Sequence, residues 1–425
     1  METITIEKMT YGIDSLGHID GKVVFIPYGA PQDRAEVEIR ENKNDYLRGE
    51  LVKVIDPSPQ RQKSPCPHFP ECGGCHWLHI HPETQRREKE AYLNFLMKPL
   101  APTNVYPIEP LSIKGYRNKI DLKLQLSPDG KLSLGNYKYR SYDVIDIPDC
   151  YVQCPSNMKI YQATKNFLEE KIEKAKTPQI KQIATRTLGN QQHMMVYLNE
   201  APDDPTTDKW REFFNQTETL SKLELLNENM CFLTLVREKE AFSFMKKTWM
   251  VSPRSFFQNN LEGAEAIYYT LMSIYDNISQ KGKFIDLYCG VGIQTMLLEN
   301  HFEEVFGIEC NEDSYRDALR NQKGRRTSSI RFLCRRAETI FGTPITKGVI
   351  AALHMNPPRT GISPRVMKGL MGVKPRMITY LSCNPMTFKR DAQGIVNMGY
   401  KLEQVYAFDL FPGTFHLEIL GVFGR

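Results

Sequence analysis

The sequence predicts an α/β protein whose largest part is a mostly parallel, doubly wound sheet. From residue 250 onward, apolar strand-like runs alternate with helical segments, as in parallel sheets that helices cover. The first strand of this region leads into a glycine turn and a helix, in the segment FIDLYCGVGIQTMLLE (284–299). Two strand-rich stretches, residues 2–55 and 116–248, precede it and predict two smaller units.

The N-terminal stretch predicts a small β-barrel, followed by a linker and a helix. The runs ITIEKMTYGI, GKVVFIPYGA, RAEVEIREN and YLRGELVKVI have the character of short strands punctuated by glycines. The three prolines of DPSPQRQKSP indicate a linker. Residues 81–100 predict a helix that ends near Pro99 and has apolar positions at Ala91, Leu93, Leu96 and Met97.

The remaining elements follow from hydrophobic periodicity. In residues 116–248 the runs KIDLKLQLS, KLSLGNYKY, HMMVYLN and MCFLTLVRE predict strands, and helices are expected near 156–176 and 207–223, so this is an α+β region. The strands predicted after residue 250 are KFIDLYC, EVFGIE, IRFLC, VIAALHM, MITYLSC, KLEQVYAFDLF and HLEILGVF. Helices are predicted from 292, from about 312, near 363 and from 387.

Length and composition restrict the class of protein. A chain of 425 residues is expected to hold two or three domains, and 41% hydrophobic and 25% charged residues are ordinary for a globular protein. No apolar run has spanning length and the first residues lack a signal-peptide core, which predicts a cytoplasmic protein. The net charge of +5 permits a nucleic-acid partner. Ten cysteines are then expected to be thiols, metal ligands or catalytic groups.

The glycine turn indicates a cofactor site. Gly290 and Gly292 allow the backbone to approach a ligand at a helix N-terminus, and Thr295 stands where a dinucleotide site has its third glycine. The next strand ends on Glu309, which is suited to accept hydrogen bonds from both hydroxyls of a ribose. This combination favours S-adenosylmethionine over a dinucleotide. The competing interpretation is a glycine cap beside a solvated glutamate.

A cysteine cluster predicts a metal site. Cys66, Cys72 and Cys75 follow the spacing C-x5-C-x2-C, and the two glycines between the last two make a tight loop in which thiolates can converge. A fourth ligand is needed, and the candidates are Cys150, Cys154, His68 and His76. Spacing alone does not separate an iron–sulfur cluster from zinc.

Three C-terminal motifs supply further candidate residues for chemistry. Cys383 ends an apolar strand just before Pro385, and the carboxyl ends of strands line the crevice of open α/β sheets. The segment MNPPRTG (355–361) predicts a rigid extended loop. His416 and Glu418 stand at the edge of a strand, where a carboxylate can serve as a base. The competing interpretations are a buried structural cysteine, an ordinary turn and an exposed edge residue.

Together these motifs resemble the RNA 5-methyluridine methyltransferase family, in particular its branch that acts on 23S ribosomal RNA. The resemblance covers nearly the whole chain. It is carried by GKVVFIPYGAP, CPHFPECGGC, GYRNKI (115–120), SFFQNN (255–260), DLYCGVG (286–292), PPRTG, SCNPMTFKRD and FPGTFHLE. Several motifs in the family's order are more specific than any one of them alone.

The resemblance implies a fold and a domain division. Residues 83–110 and 249–425 are expected to form a Rossmann-like class I S-adenosylmethionine-dependent methyltransferase domain. Residues 1–58 are expected to form an OB-like barrel of the RNA-binding TRAM type. Residues 59–82 and 111–248 are expected to form a central α+β domain that carries an iron–sulfur cluster.

The resemblance also implies roles for individual residues. Cys383 matches the nucleophile, and Glu418 the general base, of a reaction that methylates carbon 5 of a uridine in RNA. The expected cofactor-binding residues are Gln258, Tyr288, Gly290, Gly292, Glu309 and Asn356. The expected ligands of a [4Fe–4S] cluster are Cys66, Cys72, Cys75 and Cys150, with Cys154 as a spare thiol.

Two positions depart from the family's pattern and leave alternatives open. Asn356 replaces the aspartate of Asp-Pro-Pro-Arg, and Gly413 stands where relatives commonly carry histidine. The leading interpretation is an enzyme that makes 5-methyluridine in ribosomal RNA, with no membrane and no obligate protein partner expected. Transfer RNA is the alternative substrate. An RNA-binding protein without turnover is the alternative class, and Thr295 disfavours a nicotinamide oxidoreductase.

A basic cluster follows the second predicted helix of the α/β region. Such a run is usually a solvated face, and the alternative is a site for RNA phosphates. Its members are Lys323, Arg325, Arg326, Arg331, Arg335 and Arg336.

Overall fold

The computed structural model describes residues 1–172, 179–237, 241–276, 278, 282–323, 325 and 329–425. The described residues form three large sheets of six, seven and eight strands and one two-stranded hairpin. The three large sheets follow one another along the chain, apart from one short strand that precedes the second sheet and joins the third.

The first sheet confirms the strand-rich N-terminus. Its strands run in the order β1-β5-β6-β4-β3-β2, and three register shifts between β5 and β6 bend it. Its buried face is apolar, with Ile4, Val24, Ile26 and Val37 in one cluster, because alternate residues of each strand point inward. The strands are β1 Glu2–Thr5, β2 Lys8–Met9, β3 Asp14–Ile19, β4 Lys22–Pro27, β5 Arg34–Asn42 and β6 Tyr46–Asp56.

The predicted helix after the linker is present as α1, Pro82–Met97. A proline in its first turn suits the helix start, because no intrahelical partner exists for that N–H. Leu93, Leu96 and Met97 are buried, and they pack into the core of the third sheet together with Ile108. The short strand β7, Asn104–Val105, follows α1 and pairs with an edge strand of the third sheet.

The second sheet has the order β10-β9-β8-β11-β12-β13-β14. Its elements are β8 Lys119–Leu126, β9 Leu132–Tyr137, β10 Val144–Asp146, α2 Pro155–Lys171, β11 Ile180–Leu188, β12 Gln191–Leu198, α3 Asp204–Gln216, β13 Lys222–Leu226 and β14 Cys231–Val236. The four predicted strands and both helices are confirmed. Residues 173–176 of the first predicted helix lie outside the described residues.

The predicted end of the helix at residue 223 is wrong. Helix α3 ends at Gln216, and β13 begins at Lys222 and pairs in parallel with β12. The apolar spacing of Leu220, Leu223 and Leu225 fits a buried helix or a buried strand equally well, so periodicity could not separate the two.

The third sheet is the predicted doubly wound sheet, with the order β19-β18-β17-β20-β21-β23-β22-β7. Its five strands from β17 to β21 are parallel, and β23 is antiparallel to both of its neighbours. Before it come the hairpin β15 Ala241–Phe244 and β16 Lys247–Met250 and the helix α4 Leu261–Asp276, which the sequence analysis did not predict. Its elements are β17 Lys283–Leu287, α5 Ile293–Leu297, β18 Glu304–Glu309, α6 Glu312–Gln322, β19 Ile330–Cys334, β20 Ile350–Met355, α7 Pro364–Val373, β21 Met377–Ser382, α8 Pro385–Asn397, β22 Lys401–Phe408 and β23 Glu418–Gly424.

The strand order reverses beside β17, which lies between β18 and β20. In open α/β sheets this switch point forms a crevice at the carboxyl ends of the strands. Helix α1 and strand β7 belong to the third sheet although the second sheet separates them from it in sequence. The predicted domain division stays a prediction. Within the part of the chain that the structure describes, no helix has both the length and the apolarity for crossing a bilayer.

Candidate active site

A cavity lies in the crevice beyond the end of β17. Four of the residues predicted to bind the cofactor line it together: Gln258, Tyr288, Gly290 and Asn356. They come from three separate places in the sequence, so the fold and not local spacing brings them together. The lining also includes residues that the sequence analysis missed, which are Phe256, Phe257, Tyr268, Asp286 and Gln294.

The glycine turn shapes the floor of this cavity. Gly290 has φ +55°, and a Cβ built on it would meet no atom within 4 Å, so the space above it is open to a ligand. The carboxylate of Glu309 accepts hydrogen bonds from Gly290 N at 3.0 Å and from Asn311 N at 2.7 Å. Gly292 differs, because a Cβ there would lie 2.6 Å from the Phe332 ring. Its glycine character is required by packing.

Asp286 is a buried carboxyl beneath the turn. Burial raises its pKa to about 7, and Thr295 Oγ1 donates a hydrogen bond of 2.6 Å to its carboxylate. Thr295 is the residue that replaces the third glycine of a dinucleotide site, so this threonine supports Asp286. A charged residue inside an apolar strand was the only sequence signal for Asp286.

Cys383 directly follows β21, and Glu418 is the first residue of β23, the adjacent antiparallel strand. The last pair of these two strands is Ser382 with Ile419, so the register places Cys383 next to Glu418 at the end of β21. This register brings together two residues that are 35 positions apart in the chain. Asn384 then caps α8 by accepting hydrogen bonds from Met386 N and Thr387 N, which fixes where the strand ends.

Burial controls the electrostatics of this pair. Glu418 is 5% exposed, and burial raises its pKa to about 7. Burial, and then the charge of Glu418, raises the pKa of the Cys383 thiol. The charge of Arg359 opposes both shifts. Arg359 belongs to the PPRTG segment, but the sequence analysis assigned it no role.

We expect Glu418 to make stability depend on pH. A carboxyl whose pKa is raised by folding stabilises the protein at pH values below its unfolded-state pKa of 4.5. This stabilisation disappears as pH rises through the folded-state pKa of about 7. Glu418→Gln is therefore expected to increase the free energy of unfolding by about 3 kcal/mol at pH 8 and by little at pH 4.5. Urea denaturation at the two pH values measures the difference, with Glu170→Gln on the exposed face of α2 as control. Equal effects of Glu418→Gln at both pH values would contradict the raised pKa.

The first sheet contributes an aromatic residue to the same site. Tyr11 stacks on Tyr92 of α1 with ring centroids 4.9 Å apart, and its edge meets Phe415 at 5.3 Å. Burial first, and then Tyr92, Cys383 and Glu418, raise the pKa of Tyr11. Tyr11 thus lies beside the Cys383–Glu418 pair, and no local pattern in the sequence could reveal this contact between distant segments.

The cysteine cluster surrounds a second cavity, of about 400 Å³. All four predicted ligands line it: Cys66, Cys72, Cys75 and Cys150. His68 lines it as well, whereas Cys154 does not and instead precedes α2. As the side chains stand in the described part of the chain, no group of three or more His, Cys, Asp or Glu residues is arranged to hold a metal ion.

The basic cluster is partly structural. The Arg325 guanidinium lies 4.2 Å from the centroid of the Trp249 ring and donates to Asn321 O. Arg336 pairs with Glu338 at 2.7 Å. Arg326 lies outside the described residues. A phosphate-binding role for this cluster stays a prediction.

Comparison with known proteins agrees with this geometry. Residues 236–424 match the family described as tRNA (Uracil-5-)-methyltransferase, and residues 2–52 match the TRAM domain. Residues 236–424, which hold the third sheet apart from β7, therefore match the RNA uracil-5 methyltransferase family. The chain is an enzyme of the methyltransferase class, with a TRAM domain at its N-terminus.

Relatives match over nearly their whole length. An RNA methyltransferase of Caldanaerobacter subterraneus subsp. tengcongensis is 27% identical, with 99% of this chain and 98% of the relative covered. One of Listeria innocua serovar 6a is 28% identical, with 99% and 96% covered. The crystal structure of Pyrococcus abyssi tRNA (uracil-54, C5)-methyltransferase in complex with S-adenosyl-L-homocysteine has a TM-score of 0.76 at 23% identity, covering 99% of this chain and 100% of that one. The last comparison establishes the methyltransferase fold.

Proposed function

We propose that this methyltransferase transfers a methyl group from S-adenosylmethionine to carbon 5 of a uridine in RNA. The favoured substrate is 23S ribosomal RNA. The observation that carries the proposal is the register that places Cys383 next to Glu418 at the end of β21. A thiol and a carboxyl in this relation suit a reaction that needs a nucleophile and then a base on the same ring.

The residues around the cofactor cavity are chemically suited to S-adenosylmethionine. The open space above Gly290 leaves room for the ligand, and Glu309 supplies a carboxylate at the end of the next strand for the ribose hydroxyls. Gln258, Tyr288 and Asn356 would contact the rest of the molecule, since they line the same cavity. When bound, S-adenosylmethionine supplies an electrophilic methyl group on a sulfonium.

The chain's own residues would act on the uracil ring. Carbon 5 of uracil is a weak nucleophile, so the Cys383 thiolate first adds to carbon 6 and forms a carbon–sulfur bond, which makes carbon 5 an enolate carbon. Carbon 5 then bonds to the methyl group as the sulfonium–methyl bond breaks. Glu418 takes the proton from carbon 5, and the bond between carbon 6 and Cys383 breaks to return the thiolate. The target nucleotide must leave its stack to reach the thiol.

We infer that the cysteine cavity holds a [4Fe–4S] cluster with a structural role. The four thiols line one cavity, and the resemblance to the branch that acts on 23S ribosomal RNA favours an iron–sulfur cluster over zinc. An all-thiolate donor set is the chemistry that iron–sulfur clusters use. Cys66, Cys72, Cys75 and Cys150 would be the ligands.

Anaerobically purified protein is expected to be brown and to contain about four irons per chain. Cys75→Ser is expected to lose this iron, because it removes one ligand. Cys154→Ser is the matched control and is expected to keep the iron, since Cys154 does not line the cavity. Metal analysis and visible absorption measure both. Stoichiometric zinc, or loss of iron from the control, would contradict the assignment.

The choice of ribosomal RNA rests on resemblance to the branch that combines a TRAM barrel with a cysteine cluster. Transfer RNA is the second candidate, favoured by the description of the matching family and by the Pyrococcus abyssi structure. Mapping 5-methyluridine in ribosomal and transfer RNA, from cells with and without this protein, tests the choice. A site lost only from transfer RNA would overturn the ribosomal assignment.

Asn356→Asp is expected to speed methyl transfer by about tenfold. Asn356 lines the cofactor cavity, where a carboxylate would make charge-assisted hydrogen bonds that a neutral amide cannot. Such a gain is worth roughly 1–2 kcal/mol. Steady-state kinetics of both proteins on one transcript provide the measurement. An unchanged or lower rate would mean that the pocket has adapted to the amide.

A further inference from the structure

A single loop leads from β22 into the proposed base. We call residues 409–417 the base loop, because they end immediately before Glu418. Its first residue is fixed by a buried ion pair, in which Lys89 Nζ lies 2.6 Å from Asp409 Oδ1. Lys89 belongs to α1 and is 2% exposed. Helix α1 therefore holds the start of the base loop.

The middle of the base loop is held by the segment that follows the cysteine cluster. His76 N and Trp77 N both donate to Gly413 O, at 2.9 and 2.8 Å. His76 comes directly after Cys75, one of the proposed cluster ligands. The cysteine segment and the base loop are thus joined by two backbone hydrogen bonds.

Gln85 of α1 joins these two segments with one side chain. Its Oε1 accepts from Gly413 N at 2.8 Å, while its Nε2 donates to Trp77 O at 2.9 Å and to Ile80 O at 3.0 Å. Gln85 is 2% exposed, so water does not reach these bonds. Removing the amide would take away the acceptor of the buried Gly413 N, which is costly.

The geometry of Gly413 leaves the base loop little freedom. Gly413 has φ +83°, and a Cβ on it would lie 2.7 Å from Leu78 Cδ2. A larger side chain at this position would not fit unless Leu78 moved. Only four residues separate Gly413 from Glu418. The Thr414 hydroxyl holds this segment in place by accepting a hydrogen bond from His416 N and donating one to Phe411 O.

We propose that Gln85 is a positioning residue that aligns Glu418 for proton removal by fixing Gly413 to the cysteine segment. This inference rests on the proposed role of Glu418 as the base. It gives the cysteine segment a task in the reaction, which is to order the base loop. Misplacing the base slows removal of the carbon 5 proton, a step that comes after the bond between Cys383 and carbon 6 has formed.

The test measures covalent RNA–protein adduct in steady state, on denaturing gels, for the full chain. Gln85→Leu is expected to lower kcat by about 10- to 100-fold, the cost of misplacing a catalytic group by a fraction of a bond length or more. The KM for RNA is expected to stay unchanged, and the adducted fraction of the protein to rise several-fold. Gln85→Glu keeps an acceptor for Gly413 N and is expected to restore part of kcat. Gln192→Leu, at another buried glutamine in the second sheet, is the control and is expected to leave the adducted fraction unchanged.

Two results separate the possible failures. If Glu418→Gln traps adduct but Gln85→Leu slows turnover without adduct, Gln85 is merely structural and the inference is overturned. If Glu418→Gln itself traps none, the proposed role of Glu418 fails as well. Should Gln85→Leu be insoluble, Gly413→Ala disturbs the same loop from the Leu78 side and is expected to give the same rise in adduct; no rise would overturn the inference.

Discussion

Replacing Cys383 with alanine is expected to abolish methyl transfer while S-adenosylmethionine still binds. The thiol acts on the uracil ring, and it does not line the cavity that contains Gly290 and Asn356. Loss of a nucleophile in a covalent mechanism lowers kcat on the order of 10⁴–10⁶-fold. Transfer of a labelled methyl group to RNA measures the loss, and calorimetric titration measures cofactor binding.

Cys231→Ala is the matched control for this variant. Cys231 is a half-buried thiol in the second sheet whose sulfur contacts Leu225 O and Leu233 O, far along the chain from the proposed site. It is expected to leave turnover unchanged. Retained turnover in the Cys383 variant would mean that Cys383 is not the nucleophile.

Replacing Glu418 with glutamine is expected to stall the reaction after methyl transfer. Glutamine keeps the size of the side chain but cannot take the proton from carbon 5, so the bond between Cys383 and carbon 6 cannot break. Most of the protein should then run as a covalent RNA adduct on denaturing gels. Glu224→Gln, at a buried glutamate of the second sheet, is the control and should give no adduct.

The pH dependence of the wild-type protein is an independent measure of proton removal by Glu418. Burial raises the pKa of Glu418 to about 7, and only the ionised form is a base. The rate at which the methylated adduct releases its RNA from wild-type protein should therefore fall as pH falls below about 7. A Glu418→Gln protein that releases its RNA normally would mean that another residue is the base.

The fold could be predicted from the sequence because the third sheet consists of short apolar runs that alternate with helical segments. The runs around β17, β18, β20 and β21 are buried on both faces, and such strands are continuous apolar segments. Helix α8 was predicted within two residues because Pro385 marks its start. By contrast, α3 was extended too far, since leucine spacing near β13 fits a helix and a strand alike.

Residues of the candidate site could be predicted only where they lie in a recognisable sequence motif. Gly290, Glu309, Cys383 and Glu418 stand at strand ends that the sequence marks with turns. The pairing of Cys383 with Glu418 needs β23 to insert between β21 and β22, and strand order is a property of the whole sheet.

Other residues belong to the candidate site because they are buried there or because the fold brings them close to it. Asp286 matters because it is buried, and Arg359 because it lies near the Cys383–Glu418 pair. Tyr11 and Gln85 reach the site across sequence separations of hundreds of residues. No local pattern records such contacts, so three-dimensional structure was needed to find them.

Methylation at carbon 5 of uridine can be tested directly on isotopically labelled RNA. Wild-type protein is incubated with S-adenosylmethionine and a ribosomal RNA transcript whose uridines carry deuterium at carbon 5, and the digested nucleosides are analysed by mass spectrometry. We expect 5-methyluridine as the new nucleoside, with one deuterium lost for every methyl group gained. A methylated nucleoside that keeps its deuterium, or methylation of any base other than uracil, would contradict the proposed reaction.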